Sequence, residues 1–186
     1  MDYDISALKV LFKKIFPPGK SVYTIDSTGN GSADSILIRA FNVIMPIEVP
    51  REIELGGFNS NEFDIKKFDL SDYGKICLDD EPITIAKDEY NIEVIKDHFL
   101  IYHGGIGFTI DDLIAGKFGG KLVALGDTID ILIKIKSEGI KRFTEGKHKF
   151  TFDSELIPKL DFNFELTENN LNRKFDPQNP KDLKLI

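Results

Sequence analysis

Residues 120–168 read GKLVALGDTIDILIKIKSEGIKRFTEGKHKFTFDSELIPKLDFNFELTE, and this stretch decides the fold. Ile129, Ile131, Ile133 and Ile135 hold every second position. Asp130, Lys134 and Lys136 fall between them, with Leu132 as the apolar exception. Phe150 and Phe152 repeat the alternation beside Lys149, Thr151 and Asp153. Leu160, Phe162, Phe164 and Leu166 repeat it again against Asp161, Asn163 and Glu165. A period of two puts one set of side chains on a core face and the other in water. Gly126, Gly139, Gly146 and Pro158 punctuate the runs. The stretch predicts antiparallel strands with one wet face, and a core that takes Ile131, Ile133, Phe150, Phe152, Phe162 and Phe164.

Upstream, Thr109 and Asp112 have the spacing of a capping box ahead of Leu113 and Ile114, which predicts a short helix over 109–117. Near the start, Ile5, Leu8, Leu11, Phe12 and Ile15 recur at helical spacing. Asp4 suits the N-cap, Pro17-Pro18-Gly19 stops the helix, and Lys9, Lys13 and Lys14 lie on its polar side. Strands are expected over 21–25, 35–41, 83–86 and 92–102, and a weak helix over 63–76 despite Gly74. Pro46 and Pro50 suit an edge strand or loop over 43–55, closed by Gly56-Gly57.

The expected fold class is therefore α+β and β-rich. It is a mostly antiparallel sheet, sandwich-like in its second half, with one N-terminal amphipathic helix and one or two short helices. The glycine-rich link 104–107 divides a mixed α/β part (1–103) from an antiparallel β part (108–168). A polar C-terminal tail (169–186) follows. One continuous domain fits the same pattern.

Composition narrows the function classes. The 186 residues are 41% hydrophobic and 30% charged, as in a folded soluble domain. A net charge of -7 argues against broad, non-specific nucleic-acid binding, which needs Lys and Arg against phosphates. Cys77 is the one cysteine, so no intramolecular disulfide forms, and a cytoplasmic or other reducing compartment is expected. The N-terminus lacks the basic and apolar regions of a signal peptide, and no apolar run approaches the roughly 20 residues that cross a bilayer.

His103-Gly104-Gly105-Ile106-Gly107 is the stretch most like a ligand loop. Glycines after a strand and before a helix can turn backbone N–H groups towards phosphate. No Lys-Ser or Lys-Thr follows, and Asp111 and Asp112 would repel an anion there. An esterase-like oxyanion loop would need a nucleophile elbow, GxSxG, which the chain lacks. A structural link is expected. Asp26, Thr28, Asn30 and Asp34 carry the oxygens of a calcium loop, but Leu37 stands where the closing acid belongs, so a hairpin turn is expected. His98, His103 and His148 lack metal-ligand spacing, and His148, beside Gly146, is expected on the surface. Cys77 reads as a small buried hydrophobe, and Asp79-Asp80-Glu81 as a solvated loop. No set of catalytic, cofactor-binding or metal-binding residues assembles from these spacings, and no cofactor is implied.

The order of elements in the first hundred residues resembles one domain of a DNA sliding clamp. The segments are the helix over 5–16, then KSVYTIDS and SILIRAFNVIMPIEV, then FDIKKFDLSDYGKI, then PITIA and IEVIKDHFLIY. The resemblance implies a processivity factor with Lys9, Lys13, Lys14, Lys66, Lys67 and Lys75 facing DNA. Gly74 interrupts the second helix, and the second half has no counterpart of it.

The expected function is that of a non-enzymatic interaction or assembly protein, a structural (virion-type) or adaptor subunit acting through sheet surfaces and edges. Its partners would be other proteins or copies of itself, with no membrane. The clamp is the alternative, with nucleic acid as partner, and a small-molecule enzyme the third reading. Leu183, Leu185 and Ile186, after a polar tether, suit a strand added to a sheet edge.

Overall fold

The computed structural model describes residues 5–49, 75–83, 99–109, 112, 115–135, 137–153 and 159–174. Expectations for Asp4, Gly56-Gly57, 63–74, 84–98 with His98, the helix core at 113–114 and the tail from 175 onwards fall outside them.

The chain opens with α1 (Ile5–Ile15), whose last turn carries Lys13 and Lys14 where the helix dipole favours cations. Phe16 extends its hydrogen bonding to the Phe12 carbonyl, at 2.8 Å, and Pro17 stops it. The Phe16 ring stacks on Phe162 at 4.7 Å, which ties the helix end to the sheet core.

Among the described residues twelve strands follow: β1 (Val22–Asp26), β2 (Ser35–Phe41), β3 (Ile47–Glu48), β4 (Lys75–Leu78), β5 (Glu81–Pro82) and β6 (Phe99–His103), then β7 (Ile106–Thr109), β8 (Leu122–Val123), β9 (Thr128–Lys134), β10 (Gly146–Asp153), β11 (Leu160–Leu166) and β12 (Arg173–Lys174). A single turn of helix, α2 (Ser137–Ile140), separates β9 from β10. One sheet runs β12-β1-β2-β9-β6-β7, a second β11-β10-β4-β5, and β3 pairs with β8 alone. Among the described residues every pairing is antiparallel except β1 with β12. The β-rich, mostly antiparallel α+β class expected from the sequence is the class observed.

The two larger sheets pack face to face. Val22, Ile36, Ile38 and Ile133 from one meet Leu78, Phe150, Phe164 and Leu166 from the other, with Ile140 and Phe143 filling between. Ile131 and Phe162 lie partly buried against the same core. The sandwich is therefore not a property of the second half alone, since β9 joins β2 and β6 while β10 and β11 build the opposite sheet.

The expectation of one wet face fits β10 and β11, where Lys147, Asp161, Asn163 and Glu165 are exposed. It does not fit β9. On its other face Leu132 joins Tyr23, Ile25, Leu37 and Tyr102 in a second buried cluster. Asp130 is buried there too, because Arg39, its direct register partner on β2, neutralises it. Leu132 was the visible sign that this strand is covered on both sides.

Two further expectations change. Lys75 and Ile76 end no helix; they begin β4, paired with β10 in the register Asp153↔Lys75 and Phe152↔Ile76. The polar composition from residue 169 does not begin a tail at once. Asn170, 2% exposed, donates to the carbonyls of Gly19 and Val22 and accepts from Thr167. Asn172 holds a left-handed φ of 48°, accepts from Ala33 N–H at its side-chain oxygen and donates its own N–H to Thr24 Oγ1. These asparagines dock the chain beside β1, because one amide side chain both donates and accepts and asparagine tolerates that φ.

Candidate interaction surface

Gly104 and Gly105, at φ 59° and 77°, form the tight turn between β6 and β7, with His103 paired to Ile106. Two successive positive φ angles make the primed turn that matches strand twist. The glycine-rich link is thus a hairpin turn within the six-stranded sheet, which takes β1, β2 and β6 from before it and β7, β9 and β12 from after it. The Thr109–Asp112 box also forms: Asp112 Oδ2 accepts from Thr109 N at 3.1 Å, and Thr109 Oγ1 accepts from Asp112 N at 3.2 Å.

Beside the turn lies a cavity of about 330 Å³ lined by Arg39, Tyr102, His103, Gly104, Asp127 and Asp130, among others. Its main cation is already engaged. Arg39 Nε and Nη2 donate to both Asp130 oxygens at 2.7 and 2.8 Å, and the guanidinium lies 5.7 Å over the Tyr23 ring. Burial opposes the charge on Arg39, but the Asp130 carboxylate prevails and holds the guanidinium more firmly protonated than usual. Burial raises the Tyr23 hydroxyl above its ordinary range. A buried, fully paired Arg–Asp couple on adjacent strands is a structural device rather than an anion trap.

The rim is held by two side chains. Asn42 Nδ2 donates to the carbonyls of Met45, Val123 and Ala124 at 2.7, 2.9 and 3.1 Å. Its backbone exchanges bonds with Asp127 and Gly126. The two His103 ring nitrogens each lie 3.0 Å from a carbonyl, Nδ1 from Thr128 and Nε2 from Leu122. The segment over 122–128 is thereby tied by its backbone to Asn42 and to β6; Val123 is buried, while Leu122 and Leu125 are exposed. Ile44, Met45, Ile47, Ile106, Leu122 and Leu125 are each at least 45% exposed. They are six of the seven large exposed hydrophobics among the described residues; the other is Val10 on α1. Single exposed apolar residues are ordinary; these six lie on segments that the Asn42 and His103 hydrogen bonds and the β3–β8 and β6–β7 pairings tie to one another.

The other sequence candidates lie elsewhere. Asp26 is buried in the β1–β2 turn and accepts from Asn30 N at 3.1 Å and Gly31 N at 2.7 Å. Burial opposes its charge, but those N–H groups outweigh it and hold the carboxyl below the usual range. Asp34 accepts from Ser27 and Ser35. The loop directs N–H groups at Asp26, and the carboxylates are used as turn caps. Cys77 is buried and free.

At the β4–β5 turn Asp79, Asp80 and Glu81 are exposed, as expected of a solvated loop, and Asp79 and Asp80 take left-handed φ, 52° and 67°. Asp79 accepts from Lys149 N at 2.8 Å, and Asp80 pairs with the Lys149 ammonium. His148 is not a surface residue. Its side chain is 9% exposed, stacks on Phe164 at 5.5 Å, and lies 2.8 Å from both Asp79 Oδ2 and the Thr144 carbonyl. Its position in register with Phe164 places it on the inner face, which Gly146 alone did not reveal. Of the lysines singled out by the clamp resemblance, Lys13 and Lys14 are exposed on α1, and Lys75 lies on a strand rather than a helix.

No protein-family description and no curated protein matches the chain. Among solved structures, the crystal structure of archaeal flagellin FlaB1 from Methanocaldococcus jannaschii is similar, with 15% sequence identity and a TM-score of 0.30. The match covers 78% of this chain and 86% of that chain, and a likeness of this size carries no functional argument. Among the described residues, no helix is long and apolar enough to cross a membrane.

Proposed function

We propose that the chain is a non-enzymatic interaction or assembly subunit whose contact face is the apolar end around Leu122 and Leu125. One observation supports this reading above the others: six exposed large hydrophobics sit on a backbone fixed by Asn42 and His103. A rigid frame lowers the entropy lost when a surface docks, and burying apolar groups supplies the attraction. The partner we favour is a second copy of the chain.

Light scattering on the separated protein tests it. The wild type should show a mass above that of one chain, rising with concentration. Leu122→Asp with Leu125→Asp should keep the fold and return the mass to a single chain. A wild type that stays at one chain's mass up to millimolar concentration, where even weak contacts populate, would remove self-association.

A further inference from the structure

We propose that His103 is a protonation-dependent clamp that fixes the apolar end, a regulation that rests on the contact-face reading above. Its ring is surrounded by oxygen. Thr128 O lies 3.0 Å from Nδ1, Leu122 O lies 3.0 Å from Nε2, and Asp127 Oδ2 stands 4.0 Å from Nε2. A neutral imidazole has one N–H and one lone pair, so one carbonyl would then face a lone pair. Only the doubly protonated ring has a donor for each carbonyl, and its positive charge also suits the nearby carboxylate.

The charged and titratable groups around the ring are few among the described residues. Asp127 faces it from the segment leading into β9. Arg39 on β2 and Asp130 on β9 line the shared cavity but neutralise each other, and Tyr102 precedes it on β6. Phe118 packs edge-on at 6.3 Å and supplies no charge. Losing the ring proton removes one of the two bonds from His103 to the segment over 122–128, which carries Leu122 and Leu125, and leaves that segment to its bonds with Asn42. The sign follows: the clamp is closed on the acid side and loosens as pH rises.

Amide hydrogen exchange on the whole chain, across about pH 5 to 8 where histidine side chains change charge, reads this directly. The reporters are Gly126 N–H, bonded to Asn42 O at 2.8 Å, and Ala124 N–H, bonded to Asp127 Oδ2 at 2.9 Å. After division by the intrinsic exchange rate, their opening should increase on the order of tenfold towards high pH, the effect of losing a hydrogen bond from a charged donor. His103→Gln should flatten that profile, whereas His148→Gln should leave it intact. A pH-independent corrected profile in the wild type overturns the clamp, even if His103→Gln fails to fold. This readout needs no association, so the clamp can fail while the contact face stands, and the reverse.

Discussion

Asp130 and Arg39 show how a single pair decides whether a strand face is wet or dry. Their separation of 2.7 Å and burial make each the condition for the other. Asp130→Ala strands a buried guanidinium and should cost about 3–5 kcal/mol, whereas Arg39→Met with Asp130→Leu should recover most of that loss. Urea midpoints of the three proteins check both statements. Asp79 carries a pH signature. Burial opposes its charge, but the His148 ring and the Lys149 N–H prevail and lower its affinity for protons. A carboxyl depressed in the folded state stabilises above the unfolded value of about 3.9, and that contribution disappears as pH falls through the folded one. Asp79→Asn should thus be less stable than wild type at neutral pH, with the gap closing in acid-unfolding curves below about pH 4. Neither residue's role was legible in the chain. Asp130 alternates with isoleucines as a solvent-facing residue would, and only the pairing of its strand with β2 brings Arg39, 91 residues earlier, beside it.

At the scale of elements, alternation identified the strands and cannot assign them to sheets. The hydrophobic period of β9, β10 and β11 is the same, yet β9 belongs to the opposite layer. Period is a local property, whereas sheet membership depends on pairings between distant segments. Turn chemistry was informative in part: the β1–β2 turn falls where a hairpin was expected, whereas Gly104-Gly105, read as a link between two parts, turns β6 into β7. The asparagines after residue 169 misled because composition counts polar groups without showing which are bonded. Gly107 tests the packing between β6 and β7. A Cβ there would meet Tyr102 Cε1 at 2.7 Å, and the ring is fully buried. Gly107→Ala should lower stability by about 1–3 kcal/mol through overpacking alone. Thermal melting of that variant beside Gly105→Ala separates the causes, because Gly105 has open space but a φ of 77°.

At the scale of the molecule, several buried polar residues among those described serve structure: Asn170 docks the segment after β11, Asp26 winds a turn, and Arg39 answers Asp130. Six of the seven exposed large hydrophobics among the described residues come from the segments around Asn42, His103 and β8. The apolar end was not legible in the sequence, because Ile44, Met45, Ile47, Ile106, Leu122 and Leu125 come from separate segments that read as ordinary strand and loop. Hydrogen exchange measured at rising protein concentration tests the contact face most directly. The account predicts added protection at β3 and β8 and at the amides of 44–45 and 124–126, with none along the open edge of β11. Unchanged exchange at that end, or protection that grows along β11 instead, would contradict it.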